Sequence, residues 1–382
     1  MAYDFRLGEA SETLREEVRA FLDEHLTDEL EERLYRTGVS HDHDFTQALI
    51  DKGWYAAGWP VEHGGQGRDP IEMLVLHDEL RKVDAPLYAN GTSTQVARVL
   101  LRVGTEEQKK EIVPKVLRGE VIIVLGFSEP EAGSDVANAQ TRAVRDGDEW
   151  VINGSKMFTT NAHIADYVFL LTRTNPDVPK HKGLTTFLVP MKQPGIEVQA
   201  VYTLSGERTN ITYYNDARVS DAWRIGDVDG GWSVMTKALT YEHSAGFGSR
   251  TARMLQETEA WAEETGRIAE PEVRQRLARA AADVEVSVLL QRRAAWMFEV
   301  GLVPEAEGPM SKLFSSESMQ RAAQDLCDLV GPDALRSYFD PTAPRGGRIE
   351  HGLRVSAGPT SHGGTSATPR GSLAQRALGL PR

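Results

Sequence analysis

Between residues 11 and 26 the apolar side chains Leu14, Val18, Phe21, Leu22 and Leu26 recur every three or four positions, the interval that lines one face of a helix. The same interval returns in FTQALIDKGW, PIEMLVLHDELRKV, TSTQVARVLLRV and TEEQKKEIVPKVLRG, broken by Gly and Pro, and predicts a helical domain over residues 1–120. The period then shortens. From about 121 to 225 the runs VIIVLGF, EWVING, YVFLLTRT, TTFLVP, IEVQAV and TNITYYNDARV alternate with turn pairs such as Asn153-Gly154 and Pro194-Gly195, which predicts a compact antiparallel β domain over 121–229. A glycine-rich connection, IGDVDGGW, leads into renewed helical spacing through 232–262 and at Val273, Leu277, Ala280, Val284 and Val288. The third domain, 230–382, is therefore helical, and the fold class is α+β. The last forty residues are rich in Gly, Pro, Ser and Thr with one amphipathic piece at the end, the composition of a linker or tail.

At 382 residues the chain exceeds the size at which one hydrophobic core stops growing, in keeping with this division. Forty per cent hydrophobic and 26% charged residues mark a globular protein. No apolar run approaches the length of a membrane span, and the acidic start, MAYDFRLGEASETLREEV, lacks the apolar core of an export signal. A cytoplasmic protein is the expectation. The net charge of −13 repels nucleic acid and anionic membranes, so neither is an expected partner. Cys327 is the only cysteine; it reads as a small buried hydrophobe.

Chemistry concentrates in GFSEPEAGSDVANAQTR (126–142) and GDEWVINGSKMFTTNAH (147–163). Neither stretch holds a metal pattern or a nucleophile–base pair, and SEPEAGSD on its own reads as a turn. HDHD (41–44) offers ligand-type side chains, yet adjacent residues point apart and no third ligand is evident. GGQG (64–67) fits neither the Rossmann nor the P-loop spacing and reads as a tight turn. Trp54, Trp59, Tyr213 and Tyr214 read as core or interface aromatics.

Taken in order, SEPEAGSD (128–135), GSKMFTTN (154–161), GGTSATPR (363–370) and the terminal ALGLPR resemble the signatures of the acyl-CoA dehydrogenase family, (T/S)EPxAGSD, GxKxxITN and GGTSE(I/V)QR. The likeness spans nearly the whole chain. It implies an N-terminal helical domain, a middle β domain and a C-terminal helical bundle, FAD as cofactor, and oxidation of an acyl-CoA thioester to the trans-2-enoyl-CoA, with electrons passing to an electron-transfer flavoprotein. By the same resemblance Phe127, Ser128, Phe158, Thr160, Gly331 and Thr365 are the cofactor-binding positions, and the acids of SEPEAGSD stay structural. Ser134, Tyr241 and His243 border the substrate.

The reaction needs a carboxylate base and donors for the developing enolate. Most family members place a Glu immediately before GTS, where this chain has Gly363. One branch, resembling isovaleryl- and long-chain acyl-CoA dehydrogenases, places it on the first helix after the β domain, and ALTYEHSAG puts Glu242 there. The resemblance thus gives Glu242 as base, with the Gly363 N–H helping to hold the thioester carbonyl. His243 stands where the family has Arg.

Other departures concern the cofactor. The RxxFG motif, which reaches the flavin of a neighbouring subunit, has no counterpart in AEETGRIAEPEVRQRL (262–277). Ala367 and Pro369 replace a Glu or Gln and a Gln. Such losses, and LVGPDAL in place of the GGxGY run, resemble the actinobacterial α2β2 subset acting on bulky acyl-CoAs such as steroid side chains, in which a homologous partner subunit completes the FAD site. Gly331 then lies near the partner's cofactor, or is simply a loop glycine of positive φ. A FAD-poor structural subunit and a flavin oxidase or monooxygenase on the same fold are the alternatives, and a homo-oligomer the simpler assembly.

Overall fold

The computed structural model describes residues 8–242, 246–300 and 302–381. The chain forms two compact units, and helices precede and follow the strands in chain order. Among the described residues no helix is long and apolar enough to cross a membrane.

The first unit comprises residues 25–67 and 86–242 and holds helices α2 (Asp28–Thr37), α3 (His43–Asp51), α5 (Tyr88–Val103), α6 (Glu106–Leu117) and α7 (Gly231–Glu242). It also holds strands β1 (Ile123–Gly126), β2 (Arg142–Asp146), β3 (Glu149–Lys156), β4 (Tyr167–Arg173), β5 (Leu184–Pro190), β6 (Ile196–Tyr202), β7 (Arg208–Ser220) and β8 (Arg224–Ile225). The strands join in one sheet, in the order β6-β7-β3-β2-β4-β5-β8, with β1 beside β4. Successive residues of β4 serve opposite faces. Phe169 and Leu171 pack with Val96, Leu100, Ile112 and Ala238 of the helices, while Val168 and Leu170 pack with Trp150, Ile152, Phe187 and Tyr214. A strand buried on both sides reads as a continuous apolar run, which is why YVFLL shows no alternation.

The sheet is not purely antiparallel, as the sequence led us to expect. β1 runs parallel to β4 over four residue pairs, and β2 meets β4 in parallel at Arg142 and Arg173. Parallel neighbours need a long crossover, and residues 127–166, which carry the β2–β3 hairpin, supply it. The turn readings hold: Gly64 takes φ +89°, and a β-carbon on Gly65 would collide with the Trp59 backbone. Asp42 of HDHD caps α3 and pairs with Arg33. Trp54, Trp59 and Tyr214 are buried.

The second unit comprises residues 1–24, 68–85 and 243–382. Its helices are α1 (Glu9–His25), α4 (Pro70–Lys82), α8 (Gly248–Glu264), α9 (Pro271–Glu299), α10 (Glu307–Val330), α11 (Arg348–Ser356) and α12 (Ala367–Ser372). Met254, Trp261, Val273, Leu277, Ala323, Leu326 and Ile349 form its core, and Cys327 lies within it as a buried thiol pushed up to about 11 by desolvation. The final forty residues correct the tail reading, because α11 and α12 are helices whose Ile349, Val355 and Pro369 are buried. Pro369 is the third residue of α12, inside the first turn, where the missing N–H costs no helical bond.

Candidate functional site

In the β-containing unit, β1 delivers the chain to Phe127, whose ring is buried edge-on to Phe169 at 5.7 Å. The next residues close a tight turn: the N–H and carbonyl groups of Glu129 and Ala132 bond to each other at 3.0 and 3.1 Å around Pro130 and Glu131. The turn aims the Glu129 carboxylate inward, against Lys156 Nζ at 2.7 Å, with the Lys156 side chain wholly buried. The backbone N–H groups of Gln140 and Thr141 donate to the same carboxylate at 2.6 and 2.9 Å. Burial would raise the Glu129 pKa, but the Lys156 charge and these donors outweigh it and the net direction is down. Burial also lowers Lys156, which the Glu129 charge opposes. Lys156 Nζ further donates to the Phe127 carbonyl at 3.2 Å, and the Met157 N–H to the Ser128 carbonyl at 2.9 Å. The ion pair thus staples SEPEAGSD to GSKMFTTN.

Beyond that staple the backbone is strained. Phe158 and Asn161 take φ of +61° and +62°, a region that disfavours any side chain and a bulky one most. The Phe158 ring is 58% exposed. Thr159 is fastened by its N–H and carbonyl to Asn210, at 2.9 and 3.0 Å, and the Thr160 hydroxyl sits 3.1 Å from that of Thr209. Thr159 and Asn161 are fully buried, yet Thr159 Oγ1 and both polar atoms of the Asn161 carboxamide have no partner among the described residues. Strain, an exposed aromatic and unpartnered buried polar atoms thus fall within four consecutive residues, 158–161. Ser128 is half-buried and Ser134 exposed.

Glu242 closes α7. The helix buries Val234, Met235 and Ala238, and Gln95 of α5 donates to the Ala238 carbonyl at 2.8 Å. The side chains of Tyr241 and Glu242, and His243 altogether, lie outside the described residues.

In the helical unit, Gly331 ends α10 with φ +83° and ψ −153°, a region essentially confined to glycine. The loop after α11 carries consecutive left-handed residues at Gly363 and Gly364, with φ of +62° and +91°. The Thr365 carbonyl then accepts the Thr368 N–H at 2.8 Å to start α12. Sequence reading missed what holds this loop. Lys312 of α10 is buried, and its ammonium donates to the carbonyls of Pro359 and, at 3.0 Å, His362. The Phe247 ring lies beneath both, 5.4 Å from Lys312 Nζ and 5.9 Å from the His362 ring. Arg267 and Arg274, the arginines nearest the place of the missing RxxFG motif, are engaged at home. Arg267 pairs with Glu270 and the Leu329 carbonyl, and Arg274 with the carbonyls of Ile268 and Ala269.

Against known families, residues 8–120, 124–216 and 229–378 match the N-terminal, middle and C-terminal domains of acyl-CoA dehydrogenases. The acyl-CoA dehydrogenase FadE26 of Mycobacterium tuberculosis is 36% identical over 390 residues, covering 97% of each chain. This chain belongs to the acyl-CoA dehydrogenase family. Among solved structures, the Tcur3481-Tcur3483 steroid ACAD superimposes with a TM-score of 0.92 at 35% identity over the whole of both chains. The ChsE4-ChsE5 complex from Mycobacterium tuberculosis does so with a TM-score of 0.90 at 33% identity, again over both chains. The family resemblance carried by the four motifs is thus correct, and the chain is similar both to a steroid acyl-CoA dehydrogenase and to a two-component complex. The chain's SEPEAGSD and GSKMFTTN segments fall within the middle-domain match, and Glu242 and Gly363 within the C-terminal one.

Proposed function

We propose that the protein is an FAD-dependent acyl-CoA dehydrogenase that forms trans-2-enoyl-CoA from a bulky acyl-CoA of the steroid side-chain type. The full-length family match carries this reading, joined to the orphaned Thr159 and Asn161 groups beside the strained, exposed Phe158. Those groups fit a flat heteroaromatic ring edged with hydrogen-bonding atoms. Phe127, Ser128, Phe158, Thr160, Gly331 and Thr365 are the residues that would hold it. Bound FAD supplies the acceptor for the hydride leaving the β-carbon.

The chain's own part is to move one proton and to steady one oxygen. The Glu242 carboxylate takes the α-proton as the Cα–Cβ double bond forms. The Gly363 N–H holds the thioester carbonyl as negative charge grows on it. Ser134, Tyr241 and His243 border the substrate in this reading. The three-domain division at 1–120, 121–229 and 230–382 belongs to the same proposal, and the three family matches support it. Electrons pass to an electron-transfer flavoprotein, and the assembly is an α2β2 heteromer with a homologous subunit, in line with the heteromeric complex to which the chain is similar.

A second reading, a FAD-poor structural subunit, is favoured by one observation: Arg267 and Arg274 are spent on carbonyls of their own unit. Glu242→Gln separates the two. The dehydrogenase reading expects turnover to vanish with flavin content unchanged. A variant as active as the parent overturns the assignment of the base, and a heteromer whose flavin is found only on the partner favours the structural subunit.

A further inference from the structure

In the β-containing unit two glutamines fasten the stretch that leads into and through α7. Gln108, just past the end of α5, donates through Nε2 to the carbonyls of Ala222 and Arg224 at 2.7 and 3.0 Å, ahead of α7. Gln95, within α5, donates through Nε2 to the carbonyl of Ala238, within α7, at 2.8 Å. Going back along one segment is thus going forward along the other, so α5 and α7 run antiparallel. Val96 and Leu100 of α5 share one apolar core with Val234, Met235 and Ala238 of α7.

The carbonyl that Gln95 grips is a particular one. In an α-helix each N–H donates to the carbonyl four positions earlier, and α7 ends at Glu242, so the Ala238 oxygen is the acceptor of the Glu242 N–H. A carbonyl oxygen has a second lone pair, and the Gln95 carboxamide takes it. Ala238 is wholly buried, so this shared oxygen ties the last turn of α7 to α5.

Packing from α5 does not do the same work. One turn before Gln95, on the same face of α5, lies Gly91. One turn beyond Ala238 lies Glu242, so the antiparallel register brings Gly91 and Glu242 to one level. Gly91 is exposed, and a β-carbon on it would meet nothing within 4 Å. The last turn of a helix frays, because its final carbonyls lack helical donors. At this level α5 offers no side chain against it, and the Gln95 bond is the contact one turn back that steadies it.

We propose that Gln95 is a positioning residue for the base: its bond to the Ala238 carbonyl fixes the last turn of α7 and so the place from which Glu242 acts. The proposal rests on the reading of Glu242 as the base. A general base works only within hydrogen-bond reach of the proton it takes, and a displacement of about 1 Å can cost about a hundredfold in rate. Gln95 itself moves no proton.

Hydrogen exchange in the full chain without substrate tests the grip. Gln95→Met keeps the side chain's length and loses the donor, so the Glu242 amide should exchange about tenfold faster. Gln95→Lys, which again offers a donor, should recover most of the protection. Turnover of an alicyclic acyl-CoA and its α-deuterated form, with the partner subunit where one is required, tests the consequence. In Gln95→Met kcat should fall about tenfold with KM nearly unchanged, and the isotope effect should be no smaller than the wild type's, since proton removal is the step that slows. Gln108→Met removes a comparable bond far from the base and should cost stability while leaving kcat unchanged. Wild-type exchange or wild-type kcat in a folded Gln95→Met protein overturns the proposal, and so does a lowered kcat with a diminished isotope effect. Where Gln95→Met fails to fold, Gln95→Glu, of the same shape but without the donor when ionised, takes its place under the same criteria. Glu242→Gln that still turns over, by contrast, sinks the reading of the base itself.

Discussion

Lys156 and Glu129 meet at 2.7 Å with the lysine wholly buried and the carboxylate nearly so. They are 27 positions apart in sequence and draw together the two segments that carry the family signatures. A buried pair is weak evidence of net stabilisation, but removing one partner strands the other charge. Lys156→Met should therefore destabilise the chain by about 3–5 kcal/mol, with Glu129→Gln nearly as harmful. The double variant should lose less than the sum of the two. Urea unfolding of the four proteins checks this, and strict additivity would show the pair to be energetically uncoupled.

Asn161 presents the opposite case, a buried side chain whose carboxamide has no partner among the described residues. Its left-handed backbone suits glycine, and Asn161→Gly also removes two unmet polar atoms, each of which costs about 1–3 kcal/mol. The variant should therefore unfold within about 1 kcal/mol of the parent, or later, because glycine's added chain entropy offsets part of the gain. Flavin retained per chain should fall all the same. Full flavin content in a stable Asn161→Gly protein would leave the orphaned carboxamide without the role given to it.

Much of this was legible beforehand, for reasons that differ by element. The helices announced themselves through spacing, as at Leu14, Val18, Phe21 and Leu22, all of which are buried. The parallel seating of β1 was not legible, since period and composition do not record strand direction. Nor were α11 and α12, whose helical residues are interspersed with Gly, Pro, Ser and Thr; they are held by tertiary contacts such as Ile349 in the core. At the candidate site the motifs singled out the two segments that the Glu129–Lys156 pair joins. They could not show that Lys156, quoted within GSKMFTTN, answers the Glu129 of SEPEAGSD, or that Lys312, fifty residues upstream, grips the loop that bears Gly363.

That grip yields a prediction of its own. Lys312 is the buried donor to the Pro359 and His362 carbonyls, immediately before the glycine whose N–H is assigned to the thioester. Lys312→Met frees both carbonyls and loosens the loop. A displacement of about 1 Å at a reacting group can cost about a hundredfold in rate, so kcat should fall by at least about tenfold. Hydrogen exchange at the Gly363 and Gly364 amides should quicken in the protein without substrate. Unchanged exchange and unchanged kcat would reduce Lys312 to a packing residue.

A half-buried histidine ties the stability of the helical unit to pH. His351 on α11 is driven down to about 4, first by burial and then by Arg354, Arg253 and Arg250, against the opposing pull of Asp84. The unfolded chain, with an ordinary histidine pKa near 6.5, thus binds more protons than the folded one between about pH 6.5 and 4. Stability attached to His351 is complete above that window and is lost as the pH falls through it. At pH 5 the loss should be about 2 kcal/mol. His351→Gln carries no titrating group, so its urea midpoint should drop less than the wild type's between pH 7 and pH 5. Parallel losses in the two proteins would mean that His351 titrates alike in the folded and unfolded chain.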